Sequence, residues 1–353
     1  MLKSASMSFL FVVISFLVIA GAASTKGEVI DIAFGQPPVS DSDESRSLES
    51  VTGIQGRFGN CQSGLFLMTH YGDRENLFQK EHRSMIDNPL RNRVWRYCSV
   101  FRATDRDTVI VGQNWDNENV GSIIVSLYQP PGRYSSICFS RAIDMDFPLH
   151  IDLHEIRSTD MGKKLLLAPF YSMDGMNEHG LVVGLAGNKE TILKHSKDKE
   201  TIFVTYLIRK ILDEAKTIEE AVDLVDKCAP FTLDTNSFAG HFLIADASGR
   251  SVVLEFDQDQ WRTVYSDKPW QAMSTKPIHN VTNSTRKEQC WRYRTMSETL
   301  ESELGNDWEY GLKLLQDVSQ AGTTWSVVYS PTTKELYFSV YQDWDTIYHL
   351  TFP

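Results

Sequence analysis

The order of apolar and polar positions predicts a series of strands after residue 97. Short runs of β-branched and aromatic residues recur there between turn residues such as Asp105-Arg106-Asp107, which is typical of strands joined by hairpins. The predicted strands are Cys98–Thr104, Thr108–Gly112, Ser122–Tyr128, Tyr134–Phe139, Phe170–Met176, Leu181–Ala186, His241–Ala245, Ser251–Phe256, Trp325–Tyr329 and Glu335–Tyr341.

Helices are predicted in two groups between these strands. Apolar residues from Val204 to Leu212 recur at the i, i+3, i+4, i+7 and i+8 positions of one helix face. Thr217-Ile218-Glu219-Glu220 has the pattern of a capping box and opens a helix at Ile218–Lys227. Two more helices are predicted at Thr285–Leu304 and Trp308–Val318. Strands and helices in separate runs favour a layered α+β domain over alternating βαβ units, and 98–353 fits within one domain.

The first 97 residues have a different character. Lys3, the apolar run Phe9–Ala20 and the small residues Ala20-Gly21-Ala22 predict a signal peptide at 1–22. The run is shorter than the roughly 20 apolar residues of a membrane span, so we expect secretion or delivery to a lumen, extracellular or lysosomal, with an uncleaved anchor as the alternative. Residues 23–97 are predicted to be a pro-region, partly flexible because Gly35–Ser50 is polar and acidic with paired prolines.

Composition narrows the chemistry further. A net charge of −11 without a basic stripe argues against a nucleic-acid partner. The sequence has no zinc-type spacing of cysteines and histidines and no G-x-S-x-G, so neither a metal, a cofactor nor a serine nucleophile is predicted. Five cysteines are an odd number; in an oxidising compartment four can pair and one remains free, reactive or intermolecular. Asn280-Val281-Thr282 and Asn283-Ser284-Thr285 are candidate glycosylation sites.

Cys98 is the candidate nucleophile because it opens a strand directly after the pro-region. Cutting the Tyr97–Cys98 bond would give one residue both a thiol and an α-amine, whose reference pKa near 8 suits a general base. The adjacent strand ends in Gly112-Gln113-Asn114-Trp115-Asp116. Asp116 could accept hydrogen bonds from the ammonium, while Gln113 and Asn114 offer amide donors. The alternative is a polar strand end that caps a turn.

Four blocks in this order resemble the linear amide C–N hydrolases, over essentially all of 98–353. The group includes choloylglycine hydrolases, penicillin V acylases and acyl-CoA:6-aminopenicillanic acid acyltransferases. The blocks are Cys98-Ser99-Val100-Phe101 with Gly112–Asp116, Asp174-Gly175-Met176-Asn177-Glu178-His179-Gly180-Leu181, Gln289-Cys290-Trp291-Arg292-Tyr293, and Thr324-Trp325-Ser326-Val327-Val328-Tyr329.

The resemblance implies a four-layer αββα Ntn-hydrolase sandwich, in which Cys98 becomes N-terminal on a central strand when the zymogen cleaves itself at Tyr97–Cys98. It implies Cys98 as nucleophile, Asp116 as the holder of its amine and Arg292 as the arginine near the thiol. Gln113 stands where bile salt hydrolases have arginine. The oxyanion asparagine of the family falls near Ala186, so a backbone N–H or Asn188 would replace it, and Thr275 stands where another asparagine is expected.

The predicted function is hydrolysis of a linear amide bond in a small N-acyl substrate through an acyl-thioester on Cys98. Two alternatives stay open: acyl transfer from the same intermediate, and an unprocessed pseudoenzyme or binding protein. The cleaved pro-piece is a candidate retained partner, and no oligomeric state is predicted. Trp115 and Trp325 are assigned either to the substrate pocket or to the core.

Overall fold

The computed structural model describes residues 27–36, 38–40, 42–54, 64–87, 98–117, 121–149, 152–188, 198–231, 239–258 and 260–353. The predicted signal peptide, the cleavage residue Tyr97 and Cys61 lie outside the described residues.

The strands, in chain order, are β1 Glu28–Asp31, β2 Thr52–Ile54, β3 Leu65–Tyr71, β4 Ser99–Asp105, β5 Thr108–Asp116, β6 Ile123–Gln129, β7 Ser136–Arg141, β8 Asp174–Asn177, β9 Val182–Asn188, β10 Glu200–Phe203, β11 Cys228–Phe231, β12 Ala239–Ala245, β13 Ser251–Asp257, β14 Gln260–Tyr265, β15 Trp270–Met273, β16 Thr323–Ser330, β17 Glu335–Val340 and β18 Thr346–Thr351. The α-helices are α1 Asp43–Glu49, α2 Glu75–Asp87, α3 Leu153–Ile156, α4 Val204–Glu214, α5 Ile218–Val225, α6 Asn283–Gln289, α7 Trp291–Ser302 and α8 Trp308–Asp317, with 3₁₀ helices at Ala142–Met145 and Gly162–Tyr171.

Two large sheets organise the molecule. The seven-stranded sheet has the order β1-β18-β17-β16-β5-β4-β15, and the nine-stranded sheet has the order β14-β13-β12-β9-β8-β7-β6-β3-β2. Most neighbours are antiparallel hairpins, including β4 with β5 and β16 with β17. These are the hairpins that the alternation of apolar and polar residues predicts.

Side chains on alternate strand positions show how the layers stack. Asp174 of the nine-stranded sheet reaches Trp325 of the seven-stranded sheet, whereas a Cβ on the adjacent Gly175 would lie 2.9 Å from Leu212 Cδ1 in α4. The two sheets therefore face each other, with α4 on the outside of the nine-stranded sheet. On the other side, α8 packs on β5 and β16, and α7 packs on β4 and β15. The predicted α+β sandwich is confirmed.

The predicted pro-region is part of both sheets. Every residue of β3 is buried, and β3 runs parallel to β6 with Leu65 opposite Ile123. At the other sheet, β1 runs parallel to β18. A chain beginning at Cys98 would therefore lack strands from each sheet.

The segment expected to be flexible contains helix α1. Ser42 caps the helix by accepting a hydrogen bond from the Ser45 N–H at 3.1 Å. Buried serines then attach the helix to β3: Ser47 Oγ accepts from the Tyr71 N–H at 2.9 Å, and Ser50 Oγ donates to the Thr69 carbonyl at 3.0 Å. Flexibility was predicted from the polar composition of this segment. In the structure, its serines satisfy buried backbone groups instead of facing solvent.

Neither disulfides nor a membrane-spanning helix is found in the described part of the chain. Cys98, Cys138, Cys228 and Cys290 are all free and buried, so the expected pairing of four cysteines is not present among them. They belong to separate places in the fold, the start of β4, the middle of β7, the start of β11 and the junction of α6 with α7. No helix within the described ranges has the length and apolarity to cross a bilayer.

Candidate active site

Cys98 lies immediately before β4, whose two neighbours in the seven-stranded sheet are β5 and β15. The residue is fully buried. Burial and the carboxylate of Asp116 raise the pKa of the Cys98 thiol well above its usual range, against the smaller opposing effects of the Asp116 N–H and the Arg292 guanidinium. The thiol is therefore held in its protonated form and shielded from solvent.

Arg292 is brought to Cys98 by a break between two helices. The predicted single helix at Thr285–Leu304 is divided into α6 and α7 at Cys290, whose backbone is extended. This break turns α7 so that Arg292 is buried against the start of β4. Its Nη1 donates to the Cys98 carbonyl oxygen at 2.7 Å and to Ser99 Oγ at 2.9 Å. Arg292 thus fixes the backbone of the candidate nucleophile.

Asp116 ends β5 beside the same arginine. Its Oδ2 lies 3.7 Å from Arg292 Nη1, and both side chains are almost fully buried. Thr323 Oγ1 donates to Oδ1 at 2.5 Å, and Gln320 Nε2 donates to Oδ2 at 2.7 Å. Burial raises the pKa of Asp116 to about 6, despite the hydrogen bond from Thr323, the charge of Arg292 and the hydrogen bond from Gln320. A further cation beside this carboxyl would favour its ionised form.

Gln113 and Asn114 point to opposite faces of the seven-stranded sheet. Gln113 faces the nine-stranded sheet, where its Oε1 accepts from the Leu185 N–H at 3.1 Å and its Nε2 donates to the Met173 carbonyl at 3.5 Å. Asn114 faces α8, donating to the Leu315 carbonyl at 2.8 Å and accepting from Ser326 Oγ at 2.6 Å. Successive residues of a strand alternate faces, and Asn114 makes packing contacts with α8. Its role as an amide donor stays a prediction. Gln113 joins the two sheets.

Thr275 is brought into the arrangement, whereas Asn188 is only partly described. Thr275 follows β15, in which Met273 pairs with Val100, and its Oγ1 accepts from Arg292 Nη2 at 3.2 Å. Asn188 ends β9 two residues beyond Ala186, and its backbone pairs with Ala239. The Asn188 side chain lies outside the described residues, so its predicted role at the oxyanion stays a prediction.

Three residues that contact the candidate site or lie beside it were not identified from the sequence. Thr323 and Gln320, the donors to Asp116, lie more than 200 positions away from it. Asp174 belongs to a quoted block but received no role. It is fully buried between the sheets and accepts from Trp325 Nε1 at 2.8 Å and from the Tyr329 hydroxyl at 2.5 Å. Burial raises the pKa of Asp174 to about 7, against those two hydrogen bonds. The sequence did offer a sign of this contact, because two of the quoted motif blocks contain its members: Asp174 in one, and Trp325 and Tyr329 in the other.

Trp115 and Trp325 belong to the core. Both are fully buried, and their rings stack with centroids 5.6 Å apart. The predicted glycosylation sites differ in exposure: Asn280 is exposed in a turn, while Asn283 begins α6 and its Oδ1 accepts from the Tyr293 hydroxyl at 2.9 Å. Among the described residues, no three His, Cys, Asp or Glu side chains are grouped to hold a metal ion.

Comparison with protein families finds a match that begins in β7 and ends just before α8. A sequence model of the linear amide C–N hydrolases, choloylglycine hydrolase family, matches residues 137–307. The matched span contains Asp174, Thr275 and Arg292. It begins after Cys98 and Asp116, which therefore lie outside it. No curated protein sequence gives a significant match.

Solved structures show the same fold. The penicillin V acylase from Agrobacterium tumefaciens matches 69% of this chain and 82% of its own, with 14% identity and a TM-score of 0.50. Two variants of the conjugated bile acid hydrolase from Clostridium perfringens each match 72% of this chain and 92% of their own, with 12% identity and a TM-score of 0.51. At such identities the likeness establishes the sandwich architecture and leaves the chemistry to the residues.

Proposed function

We propose that this chain is a member of the linear amide C–N hydrolases, choloylglycine hydrolase family, whose model matches residues 137–307, and that it is a secreted, self-processed amidase that uses Cys98 as its nucleophile. The family match supports hydrolysis of carbon–nitrogen bonds in linear amides. The proposed substrate is a small N-acyl amide, and the proposed intermediate is an acyl-thioester on Cys98.

The observation that carries the proposal is the arrangement of three side chains from distant parts of the chain. Cys98 opens a strand inside the sheet, Arg292 holds the Cys98 carbonyl at 2.7 Å, and Asp116 lies 3.7 Å from that arginine. Burying an arginine, a carboxyl and a thiol together has a cost in desolvation, which a purely structural role would avoid with apolar residues. Such groupings of buried titratable residues are typical of active sites.

Self-cleavage would turn this arrangement into a catalyst. In the uncut chain the Cys98 nitrogen is an amide and cannot act as a base. In the proposed step, the thiol attacks the Tyr97 carbonyl carbon, the Tyr97–Cys98 C–N bond breaks, and the acyl group moves to sulfur while nitrogen takes the thiol proton. Water then hydrolyses the thioester and leaves Tyr97 with a carboxylate and Cys98 with a free amine and thiol.

Asp116 is the proposed partner of the new amine. Its carboxyl already accepts hydrogen bonds from Thr323 and Gln320, which hold it in one orientation. An α-ammonium beside it would add an opposite charge and favour the carboxylate form. Arg292, bound to the Cys98 carbonyl, would keep the amine and the thiol in a fixed relation to Asp116.

Turnover would follow the same chemistry on an external amide. The Cys98 thiolate attacks the substrate carbonyl, and the α-ammonium donates a proton to the leaving amine as the C–N bond breaks. Water then attacks the acyl-thioester with the α-amine as base, which releases the acid and restores the thiol. A backbone N–H or Asn188 is proposed to stabilise the oxyanion.

The cleaved pro-piece is proposed to stay bound. Cutting before Cys98 breaks one peptide bond and leaves the hydrogen bonds of β3 to β6 and of β1 to β18 in place. All seven residues of β3 are buried, so its release would expose a continuous apolar surface. The proposed mature enzyme is therefore a complex of two chains. Secretion and a glycan on the exposed Asn280 fit this picture of a zymogen that matures outside the cytosol.

An acyl-enzyme trap tests the proposed function. The processed protein would be incubated with N-acyl amino acids, bile-salt-like amides and penicillin-like amides, then quenched in acid and digested. The expected result is release of acid and amine, together with an acyl group on the peptide that begins at Cys98. Hydrolysis that persists in Cys98→Ser without any adduct would contradict the thioester mechanism.

A further inference from the structure

A buried histidine–carboxylate pair lies beside the candidate active site in the nine-stranded sheet. His241 of β12 pairs in register with Glu255 of β13, and His241 Nδ1 lies 2.8 Å from Glu255 Oε1. Both side chains are almost fully buried. The other ring nitrogen, His241 Nε2, contacts the backbone carbonyl oxygen of Ser274.

Both ring nitrogens of His241 face oxygen atoms. Burial alone would raise the pKa of Glu255, but the hydrogen bond and charge of His241 and the N–H groups of His279 and Ile278 outweigh it and lower that pKa. The Glu255 carboxylate therefore meets both His241 and two backbone N–H groups.

The pair holds one short segment by several backbone groups. His241 binds the Ser274 carbonyl, while Glu255 accepts from the Ile278 N–H at 2.7 Å and from the His279 N–H at 2.7 Å. Residues 274–279, here called the anchor segment, follow β15 directly. The imidazole of His241 and the carboxylate of Glu255 thus hold both ends of the anchor segment from the opposite sheet.

The anchor segment in turn contacts Arg292 and the N-cap of its helix. Thr275 Oγ1 accepts from Arg292 Nη2 at 3.2 Å. Ser274 Oγ donates to Cys290 Sγ at 3.0 Å, and Cys290 is the N-cap residue of α7. A continuous set of contacts therefore leads from Glu255 and His241, through Ser274 and Thr275, to the guanidinium that binds the Cys98 carbonyl.

We propose that His241 and Glu255 are positioning residues for the amide reaction, which hold the anchor segment so that Arg292 fixes the backbone of Cys98. The inference rests on the proposed function. Neither side chain has a described contact with Cys98, so their effect on catalysis would be transmitted through Ser274, Thr275 and Arg292. Loss of the His241 ring would free the Ser274 carbonyl and leave the buried Glu255 carboxylate with only the Ile278 and His279 N–H groups of its described partners.

The kinetic test compares His241→Gln and Glu255→Gln with a matched control, His70→Gln. His70 is also fully buried in the nine-stranded sheet, where its Nε2 lies 3.1 Å from Ser126 Oγ. Per processed Cys98, we expect kcat of His241→Gln and Glu255→Gln to fall at least about tenfold, with KM changed less than about threefold. His70→Gln should retain kcat within about twofold of wild type. If the wild type is active and His241→Gln has the same kcat, the positioning inference is overturned and the proposed function still stands.

A measurement on the wild type does not depend on any variant folding. In hydrogen exchange, we expect the backbone N–H groups of Ile278 and His279 to be strongly protected, because both donate to the Glu255 carboxylate. Unprotected N–H groups at both positions would overturn the inference. A wild type that is processed yet hydrolyses none of the amides tried overturns the proposed function, and the positioning role with it.

Discussion

Arg292 Nη1 donates to the carbonyl oxygen of Cys98 at 2.7 Å across 194 positions of sequence. The same guanidinium reaches Ser99, Thr275 and Asp116, so one side chain from α7 joins the ends of β4, β5 and β15. This junction is the structural basis of the proposed amidase, and each prediction below perturbs one part of it.

Arg292→Ala should strongly reduce self-cleavage and lower stability. The change leaves the Cys98 carbonyl, Ser99 Oγ and Thr275 Oγ1 without their donor and Asp116 without its neighbouring cation, which we expect to cost about 2–4 kcal/mol of unfolding free energy. Intact mass would give the processed fraction, and urea unfolding would give the stability. Arg294→Ala, an exposed position in the same helix, is the matched control. Full processing and wild-type stability in Arg292→Ala would contradict the assignment.

Asp116→Asn should slow turnover while the fold is kept. The amide retains an oxygen for Thr323 but cannot offer a charge to the proposed α-ammonium, so we expect kcat to fall by about tenfold or more. Steady-state kinetics per processed Cys98 would check this. Asp107→Asn, in the exposed turn of the same hairpin, should leave kcat unchanged. An equal rate in Asp116→Asn would remove Asp116 from the site.

Asp174→Asn should change how stability depends on pH. Burial raises the pKa of Asp174 to about 7 in the folded protein. Between its ordinary value near 4 and pH 7 the folded form keeps a proton that the unfolded form has lost, so this group makes wild-type stability fall as pH rises. The variant lacks the group. Its unfolding free energy relative to wild type should therefore rise by roughly 2–4 kcal/mol from pH 4 to pH 7. A difference that does not vary over this range would refute the raised pKa.

Asn114→Ala should affect stability and spare catalysis. Its side chain binds the Leu315 carbonyl and Ser326 Oγ on the face covered by α8. Removing it leaves buried polar groups without partners, at a cost of about 1–3 kcal/mol. We expect kcat/KM per folded molecule within about twofold of wild type. A much larger loss of kcat/KM at unchanged stability would return Asn114 to the active site.

Local patterns predicted the hairpins because alternation along a strand depends on neighbouring residues alone. The same patterns could not predict β3 as an internal strand, since its burial depends on β6 and β2. They also missed α1, because Ser47 and Ser50 are polar yet bond to the β3 backbone in the interior.

The motif blocks identified residues that lie together in the structure, and their roles stay predictions. Cys98, Asp116 and Arg292 come together, whereas the side chain of Asn114 contacts Leu315 and Ser326. The break at Cys290 and the donors Thr323 and Gln320 depend on tertiary contacts. His241 and Glu255 act through a register between β12 and β13 that the sequence shows only as two strands.

Intact mass with N-terminal sequencing of the purified protein, compared with Cys98→Ala, tests the central claim most directly. We predict that the wild type contains a chain beginning Cys98-Ser99-Val100, which co-purifies with its pro-piece, and that Cys98→Ala remains one uncut chain. A wild type in which Cys98 stays internal, or the same cut in Cys98→Ala, would contradict self-processing by Cys98.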